Sequence, residues 1–402
     1  MTTTQCLEAP APAAKPPLLT RPLLLRFVSM LGAAISFYLL LSVVPLYAQG
    51  TGGGGGAAGL ATGALMLATV CGEFGTPWMV GRYGYRAALG AGLVLLGAPA
   101  LVLTLSSSMA WIVAVCLLRG LGFALTVVAG GALTAALIPD GRRGEGLALV
   151  GIVAGAPALG ALPLGVWSVR HFGYTPVAVI AGAAALVAVA SVPGLPDGER
   201  RTGRATGLLA GLRTPALSRP ALVFGASALV AGIIVTFLPL AVASASAGVV
   251  AAALFLQPLA STVARVVAGR IGDRRGQAGL VPPGVVLSAA GVLLTALTHH
   301  DLAVIAGVTV FGVGFGLLQN ATLALMYARA PRSAYGTVSA LWNLAYDAGM
   351  GAGALGFGLV AGRTGYPWAF VLTAALLAAA LPVALRDLRA ASRSADPAPA
   401  SS

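Results

Sequence analysis

Twelve stretches of about 20 residues, each almost free of charge, recur along the chain and constrain its fold more than any other feature. They run over roughly 24–46, 57–80, 87–105, 110–137, 146–168, 175–193, 220–243, 248–269, 280–298, 302–327, 336–361 and 367–385. A hydrocarbon core about 30 Å thick is spanned by about 20 helical residues at a rise of 1.5 Å each. Apolar residues are continuous within the stretches rather than alternating, which argues for helices and against the strands of a barrel. Only 9% of the residues are charged and 58% are hydrophobic, whereas a soluble domain carries about 25% charged residues. Too few charges remain to cover a surface in water, so the expected fold is all-α and integral to a membrane.

The net charge of +13 raises the possibility of nucleic acid, and its distribution argues against that. An even number of crossings puts both termini on one side. Loops and tails of that side hold Lys15, Arg21, Arg26, Arg82, Arg86, Arg142, Arg143, Arg200, Arg201, Arg204, Arg213, Arg219, Arg270, Arg274, Arg275, Arg329, Arg332, Arg386, Arg389 and Arg393. The other side holds Arg170 and Arg363. Basic residues stay on the cytoplasmic face, so both termini are expected in the cytoplasm of a cell (plasma) membrane. Cys6, Cys71 and Cys116 have no metal or disulfide spacing. Residues 1–21 read as a cytoplasmic tail without a cleavage site, and 386–402 as a second one. Residues 194–219 form a basic, Gly/Pro-rich central loop, either a solvated linker or the seat of a short amphipathic helix near Leu208–Leu212. The Gly52–Gly56 run reads as a slack outside connector.

The central loop divides the crossings six and six, at 22–193 and 220–385, and the two sets repeat. Gly120, Gly122 and Phe123 match Gly312, Gly314 and Phe315. Pro139 and Gly144 match Pro331 and Gly336, Gly173-Tyr174 matches Gly365-Tyr366, and Gly84 matches Gly276, always 192 residues apart. Two parallel six-helix repeats about an axis along the membrane normal are a transporter plan. The same offset sets Asp347 opposite Gly155, Glu73 opposite Arg265 and Arg119 opposite Phe311. Positions that diverge from small or apolar to ionisable are candidates for function.

A charged side chain at membrane depth costs about 2.5–3.5 kcal/mol on insertion scales. Four lie within spans. Arg265 is near the terminus-side end and reads as a snorkelling, structural residue. Arg119 lies about 13 Å inside the outer end of its span, Glu73 about 12 Å and Asp347 about 16 Å from the terminus side. Asp347, Glu73 and Arg119 are the candidate proton-coupling or substrate residues, each with a structural ion pair or hydrogen bond as the alternative. Two acids in one dry cavity resist ionising together, so such a pair can take up and release a proton. Tyr38, Gln257, Asn320, Trp342, Asn343 and Tyr346 are candidate cavity residues, able equally to serve in helix packing. Asn343, four residues before Asp347, shares its helix face.

Gly269-Arg-Ile-Gly-Asp-Arg-Arg-Gly276, with Gly269, Asp273, Arg274 and Gly276 in place, resembles the G-x-x-x-D-R-x-G signature of the major facilitator superfamily. The first-half copy keeps Arg82 and Gly84 and has Gly81 in the position of the acid. Leu118-Arg119-Gly120-Leu121-Gly122 resembles that family's fourth-helix motif. Gly151-x-x-x-Gly155-Ala-Pro157-Ala-Leu-Gly160 resembles in part the fifth-helix signature of proton-driven drug exporters, with Ala156 and Ala161 in place of glycines. The resemblance covers about residues 22–385. It implies two pseudo-symmetric six-helix bundles around a cavity, spans two and eleven adjoining, the Gly269–Gly276 segment as a gating latch, and transport by alternating access. The fifth-helix glycines are expected to pack tightly, with Pro157 favouring a kink.

No G-x-x-x-x-G-K-[ST] motif or nucleophile triad is present, so neither ATP-driven transport nor an enzyme is suggested. The expected function is proton-coupled efflux of a small amphiphilic compound or drug, an antiporter of the multidrug-resistance type, without cofactors and monomeric, its partners being substrate, protons and lipid bilayer. The alternatives are a proton symporter taking up a sugar or organic acid and a transport-inactive receptor or assembly partner.

Overall fold

The computed structural model describes residues 19–139, 143–197, 208–242, 247–331 and 334–395. Cys6, Lys15, Arg142, Arg200, Arg201, Arg204 and Arg332 lie outside these residues. Among them the regular structure is helical: α1 (Arg21–Leu41), α2 (Val43–Ala48), α3 (Gly54–Leu101), α4 (Met109–Leu137), α5 (Arg143–Phe172), α6 (Tyr174–Ala188), α7 (Leu208–Arg213), α8 (Pro215–Ala241), α9 (Ala247–Arg275), α10 (Val281–Thr295), α11 (Asp301–Ala328), α12 (Tyr335–Thr364), α13 (Tyr366–Ala378) and α14 (Leu381–Ala395). Eleven segments are long and apolar enough to cross a membrane, and one of them, Gly54–Leu105, has 52 residues. That is about twice the length one crossing needs. It breaks at Gly84, whose φ of 86° and ψ of 173° turn the chain back inside α3, so twelve crossings result.

The surface confirms the solvent. Leu359 is 72% exposed, Leu302 83% and Val187 73%, an apolar exterior that water would not tolerate as a contiguous belt. Trp78, Trp167 and Trp368 are exposed near helix ends, where indoles anchor at the membrane–water boundary.

In the first half α1 packs on α5 and α6, and α3 on α4 and α6. In the second half α8 packs on α12, α11 on α9 and α10, and α10 on α13. The repeat read from sequence recurs at the level of single contacts. A methyl group on Gly120 would collide with the Leu65 carbonyl, and one on Gly312 with that of Gln257, again 192 residues away. Gly84 and Gly276 turn at φ 86° and 85°, Gly173 and Gly365 at 81° and 76°. These are left-handed values that a side chain resists, which explains why the shared positions are glycines.

Three local expectations change. The glycine run is wound rather than slack: a π-helical turn at Gln49–Gly53 feeds directly into α3, with Gly52 and Gly54 at positive φ. The central loop does carry a helix, α7, which sits by Thr337 and Leu341 of α12 through Gly211 rather than standing free. Arg26 is not a loop residue. It is 3% exposed in α1 and donates to Gly130 O at 3.1 Å, Thr134 Oγ1 at 3.1 Å, Ser29 Oγ at 2.8 Å and Thr126 O at 3.4 Å. Uncharged acceptors thus stitch α1 to α4, and Gly130 leaves the guanidinium its room.

The halves join at the end away from the termini. Ser42 Oγ donates to Val235 O at 2.8 Å and Thr236 Oγ1 to Thr62 Oγ1 at 3.1 Å. There α3 and α12 run antiparallel in contact: a Cβ on Gly59 would meet Ala354, one on Gly63 Leu355 and one on Gly351 Met66. Small residues permit such approach, and dispersion holds it. Toward the termini, Gly336 of α12 has open space beside it. The hydrogen bonds of Arg26, Arg86 and Arg329 at that end all stay within one half.

Candidate functional site

Beyond the Met66–Gly351 contact, Glu73, two turns on along α3, meets Asp347, one turn back along α12. Their carboxyl groups interact across the junction of the halves. Asp347 is 6% exposed. Glu73 is half-buried, yet its Oε1 is sealed from solvent without a hydrogen-bond partner. Each helix supplies its acid from a face of small residues, so the backbones come close enough for short side chains to meet. A pair of this kind accommodates one negative charge far better than two.

Around the pair converge groups from both halves. Tyr38 of α1 and Tyr346 of α12 lie within electrostatic reach of Asp347 and of Arg265 on α9. The sequence reading made Arg265 a snorkelling residue; the structure turns it toward the space between the halves. On the second-half side Trp342 stacks on Phe224 at 4.2 Å and 9°, and Phe224 lies 5.9 Å from both Phe315 and Tyr346. Trp342 Nε1 donates to Thr322 Oγ1 at 3.2 Å, which fixes the indole. Phe224 and Phe315 carry no ionisable or polar group, so sequence reasoning passed over them. Their signal would have been the helical spacing of Phe311 and Phe315 opposite a tryptophan.

The other candidates are dispersed. Arg119 is 1% exposed and donates to Ser36 O at 2.8 Å and Leu96 O at 3.2 Å. It is thereby tied to α1 and α3 inside the first half, apart from the acids with which the sequence grouped it. Asn320 Nδ2 donates to Gln277 Oε1 at 3.3 Å, which places it by the Gly269–Gly276 turn and not at the acid pair. Gln257 and Asn343 are half-buried. Of that turn, Gly276 has the left-handed φ, Gly269 lies near Asn320, and Arg274 is exposed; the side chain of Asp273 lies outside the described residues. Arg82 sits over the Tyr83 ring at 5.9 Å. In the first-half copy, lacking its acid, Asp197 stands at Gly84 and accepts from the Arg86 backbone N at 3.2 Å, while Arg86 Nε donates to Leu195 O. On α5, Gly151, Gly155 and Gly160 face open space rather than a packed neighbour, and the helix runs unbroken through Pro157. The tight packing expected of that motif is met instead at Gly165, against Leu39.

A family model described as Major Facilitator Superfamily matches residues 26–354, and again 220–401. The chain is a member of the Major Facilitator Superfamily. No curated protein matches it significantly in sequence. Among solved structures it is similar to the nucleoside transporter NupG, with a TM-score of 0.72 and 14% identity over 92% of this chain and 100% of that one. It is also similar to a peptide transporter POT in complex with sulfate, with a TM-score of 0.74 and 15% identity over 93% of this chain and 94% of that one. A POT family transporter in complex with 5-aminolevulinic acid gives 0.73 and 14% over 93% and 96%. At such identity the likeness establishes the fold. A superfamily member with two helical halves and acids at their junction is a multi-pass membrane transporter.

Proposed function

We propose that this superfamily member exports a small amphiphilic compound in exchange for protons, with both termini in the cytoplasm of the plasma membrane. The observation that carries the reading is the Glu73–Asp347 pair, set where the halves meet. Protonation of the pair removes its charge and lets the halves close around it; an amphiphile with a basic group competes for the same carboxylates. Proton and substrate therefore exclude each other, which is the requirement for exchange. The aromatic stack of Phe224, Trp342 and Tyr346 offers the apolar wall such a compound needs. On this reading residues 22–193 and 220–385 rock about the acid pair, with Gly269–Gly276 as latch and one chain sufficient.

The test is ethidium transport by the purified protein in liposomes with an imposed pH gradient. Proton entry is expected to drive ethidium the opposite way, and Asp347→Asn to abolish gradient-driven movement and its pH dependence. If Asp347→Asn transports like the parent with its pH dependence intact, the coupling role is refuted. Proton-driven solute flux in the same direction as the protons would establish the symport alternative instead.

A further inference from the structure

The Glu73–Asp347 contact has a counterpart that the chain has made different. Position 265 is the repeat partner of 73, and 155 of 347. As α3 packs on α12, α5 packs on α9. Where one junction holds two acids, the corresponding positions of the other are an arginine on α9 and a glycine on α5, with open space beside Gly155. Arg265 is exposed and makes no hydrogen bond or ion pair among the described residues. Its charge nevertheless reaches a tyrosine of each half, Tyr38 and Tyr346, which also face Asp347. Both tyrosines are thus within reach of a cation and of an acid at once, and Trp342 lies 6.4 Å from the Tyr346 ring and nearly parallel to it.

We propose that the space between Arg265 and the Glu73–Asp347 pair binds an aromatic zwitterion, its amine toward the acids, its anionic group on Arg265 and its ring against Trp342 and Tyr346. This rests on the transport reading above and narrows its substrate class. An exposed guanidinium opposite a void has donors to spare for a carboxylate, which it can grip with two parallel N–H groups. The acids supply the opposite charge, and Arg265 forms no ion pair with them. A purely cationic amphiphile leaves Arg265 unanswered, and a purely anionic one faces the acids.

Three compounds with one ring system separate these charges: tryptophan, tryptamine and indole-3-propionate. Binding is measured on the full-length protein in nanodiscs. Tryptophan is expected to bind at least about tenfold tighter than either relative, from one charge-assisted contact. Arg265→Gln should bring tryptophan down to the tryptamine level, Arg265→Lys should recover most of the difference, and Asp347→Asn should bring tryptophan to the indole-3-propionate level. No preference for tryptophan in the parent protein, or an equal loss for all three compounds in Arg265→Gln, overturns the inference. Should ethidium still be exported against protons without that preference, the transport reading stands and only this assignment falls; without either, both fall.

Discussion

Gly59 tests whether the seal between the halves is a packing device. It lies where α3 presses on the α12 backbone, and a Cβ there would collide with the Ala354 carbonyl and approach the Phe237 ring. The obstacle is main chain and cannot swing aside. Overpacking of this sort costs about 1–3 kcal/mol, and only in the conformation that brings the helices together. At 1.4 kcal/mol per tenfold, Gly59→Ala should shift the balance toward separation of that end by about 5- to 150-fold. An alternative conformation populated at about 10% would then rise to at least about a third, and to the majority once the shift exceeds about ninefold. Spin labels at Gly50→Cys and Gly362→Cys, exposed positions in opposite halves with room around them, report the distance in a background without other cysteines. The long-distance population should grow in Gly59→Ala. Gly75→Ala, one helix face with nothing in front of it, should leave the distribution unmoved. If Gly59→Ala matches the parent, or Gly75→Ala shifts the distribution as much, small-residue contact is not what holds the end shut.

Gly84→Ala and Gly276→Ala carry the same left-handed strain, but only Gly84 points at Asp197. Both should lower thermal stability in detergent, Gly276→Ala by about 1 kcal/mol from strain alone and Gly84→Ala by more, with Asp197→Ala recovering part of the excess. Arg26→Leu removes the donor to four buried acceptors and should cost more than about 3 kcal/mol, measured by unfolding in mixed detergent micelles. Asp387→Ala deprives Arg329, 19% exposed, of a carboxylate at 3.0 Å and should cost about 1–3 kcal/mol in the same assay.

The crossings, the repeat and the meeting of Glu73 with Asp347 were legible because each is written in a regular code. Apolar length gives spans, a constant offset of 192 gives the duplication, and charge in an apolar run marks a site. The turn inside α3 was visible through the pairing of Gly84 with Gly276. What escaped depends on orientation about helix axes, which a nearly all-apolar helix does not encode. Arg26 looked like a flanking charge because it stands near a span end, yet it faces α4. Arg119 read as a candidate coupling residue and Arg265 as a snorkelling one, yet the first is absorbed by two carbonyls and the second reaches a tyrosine of each half. Gly151, Gly155 and Gly160 matched a packing motif but face open space, since a motif states which residues are small and not which way they point. Asp197 could not be assigned to the α3 turn from sequence, since the contact joins residues more than a hundred positions apart.

A molecule whose halves are tied together at the end away from the termini is not equally vulnerable from its two sides. A blocker aimed at Asp347 is expected to enter more readily from the face that bears the termini, where the hydrogen bonds of Arg26, Arg86 and Arg329 stay within one half. From the opposite face it would wait behind the Thr62–Thr236 contact until a turnover parted it. Its onset there should scale with the work the protein is doing, so that idle membranes look resistant and busy ones sensitive.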